Sequence, residues 1–286
     1  MRNQERLGTQ FQQNVDESVV SEKFQEQGGD GSDLSFISPT QCVELPSKGR
    51  FYPSNHPLRG KDSLDIKFMT AKSEDILVNK SLLSKGIAID RLLHSLLVDK
   101  SIDLDSLLIG DKNAITIEAR ITGYGSEYKV KTSCPACGKF QESNFDLEES
   151  KRINFGEDVD GMEVSEHNTF FVMLPKSGVK VECKFLTGKD EKELMFLVEK
   201  KKKNKLPESQ VTDQMKMFIL SINGNSDATS INKFVDAMPA IDSRMLRNSY
   251  RKINPNLELK ADFICESCQH EEEVTVPLGT EFFWPK

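Results

Sequence analysis

Cys134-Pro135-Ala136-Cys137-Gly138 and Cys265-Glu266-Ser267-Cys268 are the two stretches around which the chain is organised. In each stretch, which we call a hook, two residues separate the cysteines, so that one tight turn directs both sulfurs to the same point. Two hooks supply four thiolates, which match the tetrahedral preference of structural zinc. The sequence therefore predicts that Cys134, Cys137, Cys265 and Cys268 bind one structural Zn²⁺, and that residues 134 and 268 are neighbours in space.

Alternating apolar residues beside each hook predict that both hooks are the tips of β-hairpins. Pro135 stiffens the first turn, and Gly138 supplies the positive φ that often follows such a turn, whereas the second hook has Gln269 there. We therefore expect a zinc-ribbon-like site with a slightly strained second turn. The alternating residues before the hooks are Tyr128, Val130 and Thr132, and Leu257, Leu259, Ala261 and Phe263.

The hooks have other interpretations. Four unrelated buried cysteines are the simplest alternative, and disulfides require an oxidising compartment, for which the sequence gives no indication. A thioredoxin-like pair needs a helix directly after the hook, whereas residues 139–142 look like a strand. His270 beside the second hook is an alternative ligand, although four thiolates are already present. The isolated Cys42 and Cys183 are predicted to be small buried residues.

Composition bounds the class of protein. The chain has 286 residues and a formal net charge of −7, which argues against a surface that coats nucleic acid. No apolar run approaches the roughly 18–20 residues of a membrane span. The N-terminus is polar, so we expect no signal peptide and a cytoplasmic location.

No constellation of catalytic residues stands out. The sequence has no Gly-rich phosphate loop, no nucleophile–His–Asp set at a recognisable spacing, and no helix with histidines at i and i+4. A zinc site with four cysteine ligands leaves no open position for water or substrate. We therefore expect a protein without catalytic or cofactor-binding residues, in which the metal is structural.

The chain predicts an α+β protein in four parts. Residues 1–40, with three basic and seven acidic residues, form an acidic tail that is disordered or folds as a helix on a partner. Residues 41–145 form an N-terminal α+β lobe with the first hook. Residues 146–256 form an inserted α/β subdomain, a strand hairpin followed by helices. Residues 257–286 hold the second hook and an aromatic C-terminus.

Several local signals give finer expectations. Asp111 and Asp242 are predicted to cap the helices that follow them, and Thr187 with Asp190 resembles a capping box. We expect the aromatic residues 282–284 to pack in the protein's own core, with docking on a partner as the alternative. Strands are expected at 170–174 and 179–185, and an apolar stripe at helical spacing comprises Val211, Met215, Phe218, Ile219 and Ile222.

Several motifs together resemble the baseplate hub and hub-assembly proteins of T-even-like, contractile-tailed bacteriophages, over about residues 43–286. They are Leu45-Pro46-Ser47-Lys48-Gly49 with Tyr52-Pro53, Met69-Thr70-Ala71 with Glu74-Asp75-Ile76-Leu77, Val98–Asp103 leading to Gly110–Ile115, Arg120–Gly125 before the first hook, Val276-Pro277-Leu278, and Phe282-Phe283-Trp284-Pro285.

This resemblance implies a non-enzymatic role in building the tail baseplate hub, as a hub component or as an assembly factor. Its partners are then other baseplate hub proteins, with no small-molecule substrate and no membrane. Its location is the host cytoplasm during assembly and the virion tail baseplate. The rival interpretation is a zinc-ribbon nucleic-acid-binding protein that uses the lysine run Lys200–Lys205, which is otherwise a solvated helix end.

Overall fold

The structure, a computed structural model, describes residues 39–156, 163–164, 169–207, 209–278 and 282–284. They belong to one compact unit, residues 38–286. The predicted acidic tail, residues 1–40, lies outside the described residues except for its last two. Helices and small antiparallel sheets alternate along the chain, which confirms the α+β class. The subdivision into lobes at 145/146 and 256/257 stays a prediction.

The described helices lie in two parts of the chain, before the first hook and between the two hooks. Between α3 and α4 the chain also forms a short 3-10 helix at Leu104–Ser106. No described helix has both the length and the apolar character that crossing a bilayer requires. The helices are α1 (Ala71–Val78), α2 (Lys80–Ser84), α3 (Ala88–Leu96), α4 (Ile109–Tyr124), α5 (Leu147–Ser150), α6 (Gly188–Lys203), α7 (Gln210–Phe218), α8 (Ala228–Ala237) and α9 (Ala240–Ile253).

The strands of the described residues form four small sheets, in which every pairing is antiparallel. Their orders are β1-β2, β3-β4, β11-β10-β5 and β6-β7-β8-β9. The strands are β1 (Thr40–Glu44), β2 (Ser63–Lys67), β3 (Glu127–Ser133), β4 (Phe140–Asp146), β5 (Lys151–Asn154), β6 (Glu163–Val164), β7 (Thr169–Met173), β8 (Lys180–Lys184), β9 (Ile219–Ile222), β10 (Asn256–Ile264) and β11 (Glu271–Thr275).

One hydrophobic core connects most of these elements. It extends from Val43 in β1 to Phe283 near the C-terminus and takes buried side chains from helices and strands alike. Phe282 and Phe283 are only 4% and 3% exposed, which confirms that these aromatic residues pack in the protein's own core. Burying one such ring contributes roughly 1.5–3 kcal/mol, so the C-terminal segment adds substantially to stability.

The hairpin of β7 and β8 and the capping box at the start of α6 agree with the sequence. The Thr187 side chain accepts from the N3 backbone, and Asp190 accepts from the N–H of Thr187 at 2.9 Å. The apolar stripe at residues 211–222 is corrected, because α7 ends at Phe218 and Ile219–Ile222 forms β9. Pairing of β9 with β8 extends the sheet and overrides helical spacing.

Two predicted helix caps and one buried cysteine are also corrected. Asp111 and Asp242 lie within the first turns of α4 and α9, whose N-caps are Leu108 and Pro239, and their carboxylates bind other segments. Cys183 is buried as expected, and burial raises the pKa of its thiol. Cys42, in contrast, is exposed, because it lies on the β1-β2 sheet with its side chain away from the core.

Candidate metal centre

The first hook is the tip of the β3-β4 hairpin, whose last paired residues are Ser133 and Phe140. The backbone N–H of Cys134 donates to the carbonyl of Lys139 at 2.8 Å, and the N–H of Gly138 donates to the carbonyl of Cys134 at 2.9 Å. Gly138 has a φ of 71°, a left-handed conformation that glycine adopts without steric cost. The turn therefore directs both sulfurs of this hook to the same side.

The second hook repeats this geometry at the tip of the β10-β11 hairpin, after the pair Ile264 and Glu271. The N–H of Cys265 donates to the carbonyl of His270, and the N–H of Gln269 to that of Cys265, both at 2.9 Å. Gln269 has a φ of 55°, so a residue with a Cβ occupies the position that glycine has in the first hook. The expected strain of the second turn is therefore present.

The two hooks bring their four sulfurs together. The Sγ atoms of Cys134 and Cys268 are 3.7 Å apart, and so are those of Cys137 and Cys265. All four sulfurs lie within 4.8 Å of one another. Sulfurs bound tetrahedrally at about 2.3 Å from one zinc ion lie about 3.8 Å apart, whereas a disulfide requires about 2.0 Å. The cluster has the dimensions of a four-thiolate metal site and excludes disulfides in this arrangement.

A side chain that the sequence did not reveal holds the hairpins side by side. The Gln141 amide donates from Nε2 to the carbonyl of Ile264 at 2.9 Å, and its Oε1 accepts from the N–H of Glu266 at 3.0 Å. Phe263 packs with Cys134 and Cys265 in a small buried cluster separate from the main core. Gln141 thus pairs with the backbone of the second hook through one donor and one acceptor, as a neighbouring strand would. In the sequence, the only signal for this role is its position in a predicted strand.

The surroundings of the second hook favour thiolate at Cys265 but not at Cys268. The backbone N–H of His270 lowers the pKa of Cys268, yet the neighbouring sulfurs and burial raise it by more. The backbone N–H groups of Cys268 and Ser267 point at the sulfur of Cys265 and lower the pKa of this thiol to about 6. His270 does not join the sulfurs, since its Nε2 lies 3.0 Å from a carboxylate oxygen of Glu272. The candidate donor set is thus four cysteines, a soft set that would suit Zn²⁺ and would leave no position for a reacting ligand.

A second centre, which the sequence did not predict, joins the Leu45–Pro53 motif to α4. Asp111, fully buried, accepts from the backbone N–H of Ser47 at 3.0 Å, from the Ser47 hydroxyl at 2.6 Å and from the Tyr52 hydroxyl at 2.7 Å. The Tyr52 oxygen in turn accepts from the N–H of Leu108 at 3.1 Å. Burial raises the pKa of Asp111 despite these donors. This aspartate anchors a loop and has no open face for chemistry.

A third centre joins the Arg120–Gly125 motif to the C-terminal aromatic residues. The Arg120 side chain, 2% exposed, donates to the carbonyls of Phe282 at 2.6 Å, Gly125 at 2.6 Å and Glu127 at 3.0 Å. Among the described residues no carboxylate pairs with it, and burial lowers the pKa of the guanidinium. Arg120 thus connects the end of α4, the start of β3 and the C-terminal segment.

Other residues singled out in the sequence have ordinary surroundings. His56 stacks on Tyr52 with its Nε2 2.8 Å from the Ser106 hydroxyl, and His94 is exposed. In the lysine run, Lys201 binds the Asp213 carboxylate at 2.6 Å, so part of that run is engaged within the chain. In the part of the chain that the structure describes, neither these histidines nor Lys201 joins the four-cysteine cluster.

Comparison with known proteins gives one match. The family model described as T4 bacteriophage base plate protein matches residues 40–284. No curated protein and no solved structure matches the chain. The matched range contains both hooks, the Asp111 centre and the Arg120 centre, so the match covers all the features described above.

Proposed function

The chain belongs to the T4 bacteriophage base plate protein family, and from this premise we propose that it builds the hub of the tail baseplate. It acts without catalysis, through contacts with other tail proteins, as a hub component or as an assembly factor. The observation that carries the proposal is the family match over residues 40–284. We place the protein in the host cytoplasm during assembly and in the virion tail baseplate.

We further propose that Cys134, Cys137, Cys265 and Cys268 hold one structural Zn²⁺. The spacing of the four sulfurs supports this assignment. When bound, the ion fixes the two hairpin tips to each other. Segments that are far apart in the sequence then stay together at the surface. A surface of fixed shape suits a protein that acts by binding other proteins.

The internal contacts of the protein support a structural role. The motifs that contain Asp111 and Arg120 stabilise the protein's own fold. Through buried hydrogen bonds, Asp111 holds a loop in place and Arg120 holds the C-terminal segment. A stable contact with another protein buries roughly 1,200–2,000 Å² in total, which a chain of 286 residues supplies from one face. The nucleic-acid alternative depends on Lys200–Lys205, of which Lys201 is bound to Asp213.

The test is a phage that lacks this protein, examined by electron microscopy of lysates. We expect heads filled with DNA, no complete baseplates and no complete tails. Expression of the unchanged chain from a plasmid is the control and restores tails. Complete baseplates in the deletion phage contradict the proposal, and an arrest at replication or head filling indicates the nucleic-acid function. Quantitative proteomics of virions beside lysates separates a hub component from an assembly factor.

A further inference from the structure

Helix α9 lies between a positively charged cleft and an apolar groove. The cleft has a volume of about 590 Å³ and is lined by residues of α7, α9, β5 and β10. Its lining in the described part of the chain contains five basic residues and one acidic residue: Arg152, Arg247, Arg251, Lys252, Lys260 and Glu258. In a chain with a net charge of −7, this is a local reversal of sign.

Two cations at the end of α9 have no ion pair with any described residue. Lys260 pairs with Glu258 at 3.1 Å and Arg152 lies 3.7 Å from Glu273, but Arg251 and Lys252 are exposed and have no ion pair with any described residue. Basic residues at a helix C-terminus often only complement the helix dipole.

The end of α9 does not depend on these cations alone. The amide of Asn154 already donates to the carbonyls of Arg251 at 3.1 Å and Lys252 at 3.2 Å. These two backbone acceptors of the last turn therefore have a neutral partner, and Arg251 and Lys252 themselves are exposed and line the cleft.

The apolar groove lies on the adjoining face of α9, has a volume of about 470 Å³ and shares Lys252 with the cleft. Ile241 and Met245, one turn apart on this face, are 60% and 38% exposed. Exposed apolar side chains beside a charged rim are typical of a protein-binding surface. We call the cleft and the groove together the α9 surface.

We propose that the α9 surface binds an acidic segment of another protein that places apolar side chains against Ile241 and Met245. Charge complementarity with Arg251 and Lys252 supports an acidic partner. A single-stranded nucleic acid fits less well, because the aromatic residues that line the cleft, Phe218 and Tyr250, are buried and offer no face for base stacking. The partner class rests on the proposed function, in which the chain binds other tail proteins.

The experiment measures fluorescence anisotropy of labelled probes with the full chain. The probes are a peptide of about 20 residues with glutamate and leucine at helical spacing, a leucine-free peptide of equal charge, and a DNA duplex. We expect the leucine-containing peptide to bind best and to weaken as salt rises. Arg251→Glu with Lys252→Glu is expected to weaken it at least about tenfold. Ile241→Ser with Met245→Ser is expected to weaken this peptide and not the leucine-free one.

Matched controls exclude general effects of charge and polarity. Lys72→Glu with Lys80→Glu makes the same change of charge on exposed positions of α1 and α2. Met195→Ser with Val198→Ser removes exposed apolar side chains from α6. Both controls should bind like the unchanged chain, and circular dichroism checks that every variant is folded. If the charge reversal unfolds the chain, the glutamine variants Arg251→Gln and Lys252→Gln replace it.

Two results overturn the proposal: equal affinity of the charge variant and its control for the peptide, or tighter binding of the DNA duplex than of either peptide. Phage carrying Arg251→Glu and Lys252→Glu then separate this inference from the proposed function. Complete baseplates in that phage, with failure in the deletion phage, overturn the α9 surface alone. Complete baseplates in the deletion phage overturn the proposed function instead.

Discussion

Substitution of Arg120→Lys tests whether a single buried cation holds the C-terminal segment in place. Lysine keeps the charge but replaces a planar fork with one ammonium on a flexible stem. Arg120 donates to three carbonyls that come from Gly125, Glu127 and Phe282, through three different nitrogens. One ammonium cannot reach three carbonyls that were arranged around a fork, so the variant loses about two of these hydrogen bonds.

The magnitude follows from these contacts. A hydrogen bond to a charged group contributes about 1.5–3 kcal/mol, so two lost bonds cost about 3–6 kcal/mol. Gly125 and Glu127 are exposed residues whose carbonyls regain water, which favours the lower end, about 3 kcal/mol. For domains of about 150–250 residues, each kcal/mol lowers the Tm by about 2–4 °C, so we expect a decrease of about 6–12 °C.

Trp284 provides the assay, since it is the only tryptophan in the chain. Its indole N–H donates to the carbonyl of Leu77 at 3.2 Å, and its ring is half-buried. Release of residues 282–284 exposes the ring, so the emission of Arg120→Lys should shift to longer wavelength before the main unfolding transition. Chemical denaturation followed by fluorescence and by circular dichroism measures both steps.

Arg91→Lys is the matched control, because Arg91 is exposed on α3. This variant should keep the Tm and the emission of the unchanged chain. If Arg120→Lys also keeps both, the three hydrogen bonds do not hold the C-terminal segment and the reasoning from the buried fork is wrong.

Two further predictions concern the other centres. Cys268→Ser should reduce bound zinc, measured by mass spectrometry, to well below one ion per chain and make the hairpins sensitive to protease, because structural zinc in peptides contributes about 10–16 kcal/mol of apparent binding free energy. The control is Cys42→Ser, at an exposed position outside the cluster, which should change neither the zinc content nor the protease sensitivity. Normal zinc content in Cys268→Ser would refute the four-cysteine assignment. Burial raises the pKa of Asp111 above its ordinary value of 3.8, so its contribution to stability is complete below that value and declines as pH rises through the folded-state pKa. The Tm advantage of the unchanged chain over Asp111→Asn should therefore shrink as pH rises from about 4, and a constant difference across that range would contradict the raised pKa.

The sequence predicted the features that depend on neighbouring residues. Both hooks and the hairpin of β7 and β8 have strands in which apolar and polar side chains alternate, and each has a short turn whose conformation is set by a few residues. The capping box of Thr187 and Asp190 is also local, since its two members are three positions apart. The meeting of the two hooks was predictable for a different reason, because four thiolates at this spacing share one preferred metal.

The sequence could not predict contacts that depend on tertiary structure. Asp111 and Asp242 are spaced like helix caps, yet they accept hydrogen bonds from residues 64 to 66 positions away. Ile219 continues a helical stripe, yet pairing with β8 makes it a strand residue, and a short apolar run does not distinguish these cases. Arg120 belongs to a motif of the resemblance, but its contacts could not be predicted, because its partners are backbone carbonyls, which every residue has.

The separation of the two hooks also sets the order in which the protein matures on the ribosome. Cys134 and Cys268 are 134 positions apart, and synthesis proceeds at about 5–20 residues per second, so the first pair of thiols precedes the second by about 7–27 s. During that interval only two of the four clustered cysteines have been synthesised, and the carbonyl of Phe282 has not yet reached Arg120. Each nascent chain therefore passes through a stage in which neither of these two long-range contacts has formed. Under the proposed zinc assignment, the ion completes its four ligands only after that stage, once both hairpins have been synthesised.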